Sequence, residues 1–170
     1  MVNESAKFQT LMNQGHTAAW DQDWAQAAEK YRLALDEIPD HPAALASLGL
    51  AHFQLKQYED AMRSYKRCSA LNPEDPMPYE KIARIYERIG MLNEAVRAFL
   101  QAGEVQIKAH SADRAVADFS DAIRLNPMDQ TAHTRLAMIY ERLGNKTEAT
   151  KEFLYTAAIM QSTGDIKKAM

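Results

Sequence analysis

Five histidines, one cysteine and a few paired carboxylates are the residues of this chain from which chemistry would have to be built. His16, His41, His52, His110 and His133 are scattered singly along the chain. None of them shares a helical turn with a second histidine and a glutamate, the spacing that holds zinc in a metalloprotease. Cys68 is alone, which excludes a disulfide framework or a cysteine-rich metal knuckle. It falls at a small-residue place in a helical run and is expected to be a buried structural thiol rather than a nucleophile. Asp21 with Asp23, and Glu74 with Asp75, lie where turns are expected, so they read as helix caps rather than acid/base dyads. Ser111–Asp113 and the "NPEDP" of Asn72–Pro76 read as helix starts. With no glycine-rich phosphate loop either, the expectation is a protein that is not an enzyme and carries no metal or cofactor.

The elements that position these residues are helices. Of 170 residues, 46% are hydrophobic and 25% charged, ordinary for a folded chain. Pro39, Pro42, Pro73, Pro76, Pro78 and Pro127 punctuate runs of Ala, Leu, Glu, Arg, Gln and Met, which favour helix. A formal charge of −3 and a pI near 6.0 give no basic field for nucleic acid or anionic lipid. No apolar stretch reaches the 18 or more residues of a membrane span. The opening "MVNESAKFQT" lacks the charged and apolar regions of a signal peptide. A cytoplasmic protein is expected.

One regular period organises the first half. Pro39 and Pro73 stand 34 apart, and the same shift brings Gly15 onto Gly49, Trp24 onto Tyr58, Ala27 onto Ala61, Tyr31 onto Tyr65 and Ala34 onto Cys68. A further 34 reaches Ala83, Ala95, Phe99 and Ala102. Glycine inside a helix costs about 1 kcal/mol relative to alanine, tolerable where the missing side chain admits a neighbouring helix. Ala27, Ala61 and Ala95 read as the reciprocal small surface, with Tyr31, Tyr65 and Phe99 filling the gap one turn later. This period with these residues resembles the tetratricopeptide repeat, a helix–turn–helix unit. The resemblance covers nearly the whole chain and implies an all-α, right-handed superhelical solenoid of about nine helices.

The period then changes. "IARIYERIGMLNEAVRAFLQAG" (Ile82–Gly103) nearly recurs as "LAMIYERLGNKTEATKEFLYTA" (Leu136–Ala157), an offset of 54. Ala95 and Ala115 are only 20 residues apart where a regular array needs 34, so about one helix is missing. The spacing predicts a three-helix unit, with helices near 77–89, 92–109 and 112–125. Its middle helix runs unbroken across Gly103, closing one pair through Ala95, Phe99 and Ala102 and opening the next through Phe99, Gly103 and Ile107. The chain thus reads as a single array over 1–170: repeat 1 at 8–41, repeat 2 at 42–75, a modified unit at 76–129 and an incomplete one at 130–170.

Repeat arrays expose an extended concave face that binds peptides or proteins, and in the family the first helix of each pair lines it. The resemblance therefore places partner binding at Met12, His16 and Trp20, then Leu50, Phe53 and Gln54, then Lys81, Arg84 and Arg88. An apolar, aromatic stretch gives way to a basic one interspersed with Glu80 and Glu87, a surface that complements an apolar anchor followed by acidic groups. Two other readings stay open. Trp20 would pack sideways onto the N-terminal extension, and the Arg/Glu alternation would be ion pairs along a helix surface. Chaperone-binding members hold a C-terminal carboxylate with lysine, asparagine, asparagine, lysine and arginine. The matching places here are Met12, His16, Ser47, Met77 and Lys81, so that clamp is missing.

The resulting expectation is a non-catalytic scaffold for a protein or peptide ligand. The alternative is a self-assembly module that stacks through its ends, above all the C-terminal one. By the 54-residue offset, Ile166–Met170 match Ala112–Val116, the first turn of a helix. This predicts a fragment of a longer protein, a frayed tail beyond Thr163, and poor cover for Phe153, Ala157, Ile159 and Met160.

Overall fold

A computed structural model of the protein describes residues 5–162 and Gly164, and among these every regular element is a helix. They are α1 (Ala6–Trp20), α2 (Trp24–Glu37), α3 (Pro42–Gln54), α4 (Tyr58–Leu71), α5 (Met77–Arg88), α6 (Leu92–Lys108), α7 (Ala112–Leu125), α8 (Gln130–Arg142) and α9 (Lys146–Ser162). Two compact units divide the chain, Met1–Ile85 and Tyr86–Met170, with the division falling inside α5. In the first unit α1 packs on α2, α3 on α4, and α2 also on α3. In the second α6 packs on α7, α8 on α9, and α7 also on α8. The tail from Asp165 to Met170, and with it the expected first turn of a further helix, lies outside the described residues.

Side chains stop and start the helices as the turn residues dictate. The Asp23 carboxylate accepts from the Gln26 amide at 3.0 Å and opens α2, and Asp129 does the same for Ala132 at 2.9 Å to open α8. Asp75 accepts from the Met77 amide at 3.0 Å. These are capping roles. The turns that close hairpins share one geometry, in which an amide bonds back to a carbonyl five residues earlier: Asp23 to Ala18, Gln57 to His52, Met91 to Tyr86, Ser111 to Gln106 and Asn145 to Tyr140, at 2.8–2.9 Å. This is the Schellman closure, which requires a left-handed residue just before the donor. Gly90 and Gly144 supply it with φ of +79° and +77°, and no atom lies within 4 Å of the Cβ either would carry. Their glycine serves the backbone alone.

Glycines inside helices serve the packing instead. A Cβ on Gly15 would stand 2.5 Å from Tyr31 Cε1, one on Gly49 2.9 Å from Tyr65 Cζ, and one on Gly103 2.7 Å from Phe119 Cζ. Glycine and ring are separated by the same sequence offset each time. Each ring lies in the notch that the glycine leaves on the preceding helix. The aromatic therefore sits directly on the glycine, where the sequence reading set an alanine against it and the ring in the gap one turn later. Tyr65 and Phe119 are fully buried. Burying such a ring contributes about 1.5–3 kcal/mol, more than the about 1 kcal/mol that a helical glycine costs, so the notch is a net gain.

α6 is one uninterrupted helix of 17 residues across Gly103, as the 54-residue spacing predicts. Its buried residues, Ala95, Val96, Phe99, Ala102, Gly103, Val105 and Gln106, spread over more than one face. α9 has the same length, but only Ala149, Thr156 and Ile159 are buried. Phe153 is exposed as expected, whereas Ile159 is buried at 5% exposure and corrects the expectation of poor cover there.

Two outcomes follow for stability. Gly49→Ala, a change that stabilises an ordinary helix, is expected to lower stability by about 1–3 kcal/mol through overpacking against Tyr65. A raised melting temperature would mean that the ring yields freely. His52 lines a cavity of about 430 Å³ between α2, α3 and α4. Burial holds its imidazole below the ordinary histidine value, opposed by the nearby Asp60. The folded protein therefore resists protonation more than the unfolded chain does. This contribution is intact above about pH 6.5 and is lost as pH falls below it. His52→Gln should shrink the drop in melting temperature between pH 7 and pH 5; parallel drops would exclude this source.

Candidate partner-binding surface

The first helices of the hairpins in the first unit, α1 and α3, carry most of the residues the sequence singles out. Trp20 ends α1 and is 88% exposed. Leu50 and Gln54 are exposed on α3. Phe53 is half-buried, its ring meeting Tyr58 edge-on with centroids 5.7 Å apart. Lys81 and Arg84 are exposed on α5 within the same unit. Arg88 is exposed too, but belongs to the second unit.

Met12 is a correction. It is buried in the first unit's core with Phe8, Ala18, Ala27 and Ala44. The Gly15 notch explains this: admitting Tyr31 draws α2 close enough to enclose that side of α1. Only an edge of Met12 borders a cavity of about 320 Å³, whose walls include Phe8, Asn13, His16 and His41.

The notch also determines what His16 does. Its backbone neighbour Gly15 lets the Tyr31 ring cross to the first-helix side, where the Tyr31 hydroxyl meets His16 Nδ1 at 2.9 Å. Burial pushes the Tyr31 phenol above its ordinary value, while the Ser47 side chain of α3 pulls it the other way. His16 and Ser47 occupy the two asparagine places of the carboxylate clamp in the resembled family. Here the phenol of Tyr31 bonds to the first and feels the second, tying α2 to α1. The signal is present in the sequence as Gly15 followed, at the offset of the other notches, by a hydroxylated ring, but only the notch makes it legible.

On the acidic side, Glu87 pairs with Arg124 of α7 at 2.8 Å, and Glu104 of α6 with Arg135 of α8 at 2.5 Å. These ion pairs run between helices rather than along one helix surface. They are half-exposed, so each contributes little, about 0–1 kcal/mol. His133 is buried, with Nδ1 2.6 Å from Glu152 and Nε2 3.1 Å from the Pro127 carbonyl. It fastens α9 to the start of α8, a contact that residue spacing did not reveal.

Cys68 is buried, its thiol donating weakly to the Pro42 carbonyl at 3.6 Å. Burial first, and then the Asp75 charge, push the thiol up from its ordinary value. That is the environment of an inert structural cysteine. Among the described residues no three of His, Cys, Asp and Glu converge on one point, and no helix is long and apolar enough to cross a membrane.

Comparison with known proteins joins these observations to a family. A model of the tetratricopeptide repeat matches residues 42–75, and a second one of the same description matches 100–164. The chain is 28% identical over 116 residues to the photosystem I assembly protein Ycf3 of Synechococcus sp. (strain CC9605), covering 66% of this chain and 64% of that protein. It is 27% identical over 100 residues to the small glutamine-rich tetratricopeptide repeat-containing protein 2 of Mycosarcoma maydis, covering 59% of this chain and 28% of that protein. The chain thus spans between about a quarter and just under two thirds of these relatives. Among solved structures, the TPR2B domain of yeast Sti1, in its complex with pHsp70, superposes with a TM-score of 0.63 at 15% identity, over 71% of this chain and 98% of that one. MamA from Desulfovibrio magneticus RS-1 gives 0.54 at 16% identity over 94% and 98%. At such identities the likeness is one of fold. Two matches to one repeat, together taking in more than half of the chain, and helical hairpins closed by the same glycine–ring contact lead to one conclusion: the chain belongs to the tetratricopeptide repeat family.

Proposed function

We propose that this protein is a non-catalytic interaction scaffold that binds a protein or peptide on the first-helix side of its hairpins. The observation that carries the reading is Trp20, a large aromatic left 88% exposed at the end of α1 while the core beneath it is complete. Tryptophan and arginine are the commonest hot spots of interfaces. Trp20, Leu50 and Phe53 form the apolar share of the surface, with Gln54 and the His16–Tyr31 pair as polar points. Lys81 and Arg84 supply the cations. An apolar anchor followed by acidic residues is the ligand this composition suits. The 1–170 array, with repeats at 8–41 and 42–75 and longer units at 76–129 and 130–170, is the frame of the proposal.

The family's habit of binding proteins supports this reading, as does the pHsp70 complex in which the TPR2B domain of Sti1 was solved. The chaperone clamp is no part of it, since Met12 is in the core and His16 is engaged by Tyr31. Neither nucleic acid nor membrane is proposed as a partner of a chain with net charge −3. A lone, buried cysteine suits the reducing cytoplasm to which we assign it.

The test starts with partners captured by the full chain and identified by mass spectrometry, then titrated against single variants. Trp20→Ala and Arg84→Ala are expected to weaken binding about tenfold or more, equivalent to about 1.4 kcal/mol or more, with melting temperature nearly unchanged. Phe53→Ala should weaken binding and also cost some stability, because its ring packs on Tyr58. Full affinity in all three variants would overturn the assignment of this face.

A further inference from the structure

The turn between α3 and α4 is closed through one residue. The Gln57 amide bonds to the His52 carbonyl at 2.9 Å, and the Leu55 and Lys56 amides bond to the Ala51 and Phe53 carbonyls at 3.0 Å. Lys56 takes the left-handed conformation there, with φ of +60°, where Gly90 and Gly144 serve the matching turns. A side chain other than glycine is strained at that φ, so this turn depends on its hydrogen bonds. Successive shifts of 34, 34 and 54 carry Ala18 onto His52, Tyr86 and Tyr140, whose carbonyls close the corresponding turns. Of these four, His52 is the side chain type that changes charge near neutral pH.

That side chain is also enclosed. His52 Nδ1 is fully buried and has no hydrogen-bond partner among the described residues. The charged groups facing its cavity are Glu29 and Arg32 from α2 and Asp60 and Arg63 from α4. They are engaged on their own helices: Arg32 holds Glu29 at 2.8 Å and Asp36 at 3.2 Å, and Arg63 holds Asp60. Imidazolium carries a hydrogen on both nitrogens, so a charged His52 would enclose an N–H donor without an acceptor, which is costly. Burial holds the imidazole below its ordinary value; Asp60 opposes this and Arg63 adds to it.

Phe53 and Gln54 lie between His52 and the turn, and the Phe53 ring meets Tyr58 beyond it. We propose that His52 is an acid-sensitive latch: on gaining a proton it opens the α3–α4 turn and displaces Phe53 and Gln54 from the first-helix surface. Control of partner binding by the latch rests on the surface proposed above, whereas the latch itself does not. The closed turn resists the proton and the open one accepts it, so opening becomes more favourable as pH falls below about 6.5. Between pH 7 and pH 5.5 the open fraction grows at most about eightfold, the limit set by an ordinary histidine in the open form.

The experiment follows the full chain, with no partner present, by amide hydrogen exchange at pH 7 and pH 5.5, with rates corrected for the intrinsic effect of pH. The Leu55, Lys56 and Gln57 amides should exchange several-fold faster at pH 5.5, while Asp23, Met91 and Asn145, which close the matching turns, keep their rates. In NMR spectra the Phe53 ring and Gln54 side-chain amide signals should shift over the same range, and the Trp20 indole N–H should not. His52→Tyr, the side chain found at the matching places of α5 and α8, should remove the response, as should His52→Gln. Exchange indifferent to pH at Leu55, Lys56 and Gln57 would overturn the proposal. So would equal acceleration at all four turns, or a response kept by either variant. Because no partner is present, the outcome is separate from whether Trp20→Ala or Arg84→Ala weakens binding.

Discussion

An aromatic ring seated on a glycine of the preceding helix is the contact on which the rest of this structure depends. Gly15 with Tyr31, Gly49 with Tyr65, and Gly103 with Phe119 each join the two helices of a hairpin at one point and one depth. Helix propensity alone opposes the arrangement, since each glycine weakens its own helix by about 1 kcal/mol. Ring burial outweighs that cost, but only when the partner helix arrives in register. The contact therefore specifies as well as stabilises, and it recurs at one spacing in both units.

The surface available for binding follows from the same contact. Because the rings fill the space between first and second helices, what remains exposed on the first helices is free to vary without disturbing the core. Trp20, Leu50 and Gln54 occupy that remainder. Tyr31 does more than fill space, because its hydroxyl emerges beside His16 and bonds to its ring. A polar point on the binding side is thus held by a residue whose ring belongs to the core, which couples the orientation of His16 to the packing beneath it.

Much of this is legible in the sequence, and the rest is hidden for identifiable reasons. The two sequence periods reveal the hairpins, because repeated packing demands repeated small and aromatic residues. They reveal even the unbroken α6, since its run contains no breaker other than a glycine that packing explains. Met12 escapes the pattern because an apolar residue on a first helix fits either the groove or the core, and only the closeness of α2 decides between them. Ile159 escapes it because the 54-residue offset says which residues correspond and not how deeply each is buried. The His133–Glu152 contact joins residues on different helices, and no periodic pattern encodes such a pair. Trp20 is ambiguous because an exposed tryptophan and a buried one look alike in a string.

The central claim is that ring and notch act as one unit, and a double-mutant cycle on Gly103 and Phe119 measures this most directly. Equilibrium unfolding of the parent, Gly103→Ala, Phe119→Leu and the double variant yields the coupling energy. The account predicts that Gly103→Ala destabilises the parent but is neutral or stabilising once Phe119 is leucine, a coupling of about 1 kcal/mol or more. Additive effects would contradict it, because the glycine would then owe its place to something other than the ring.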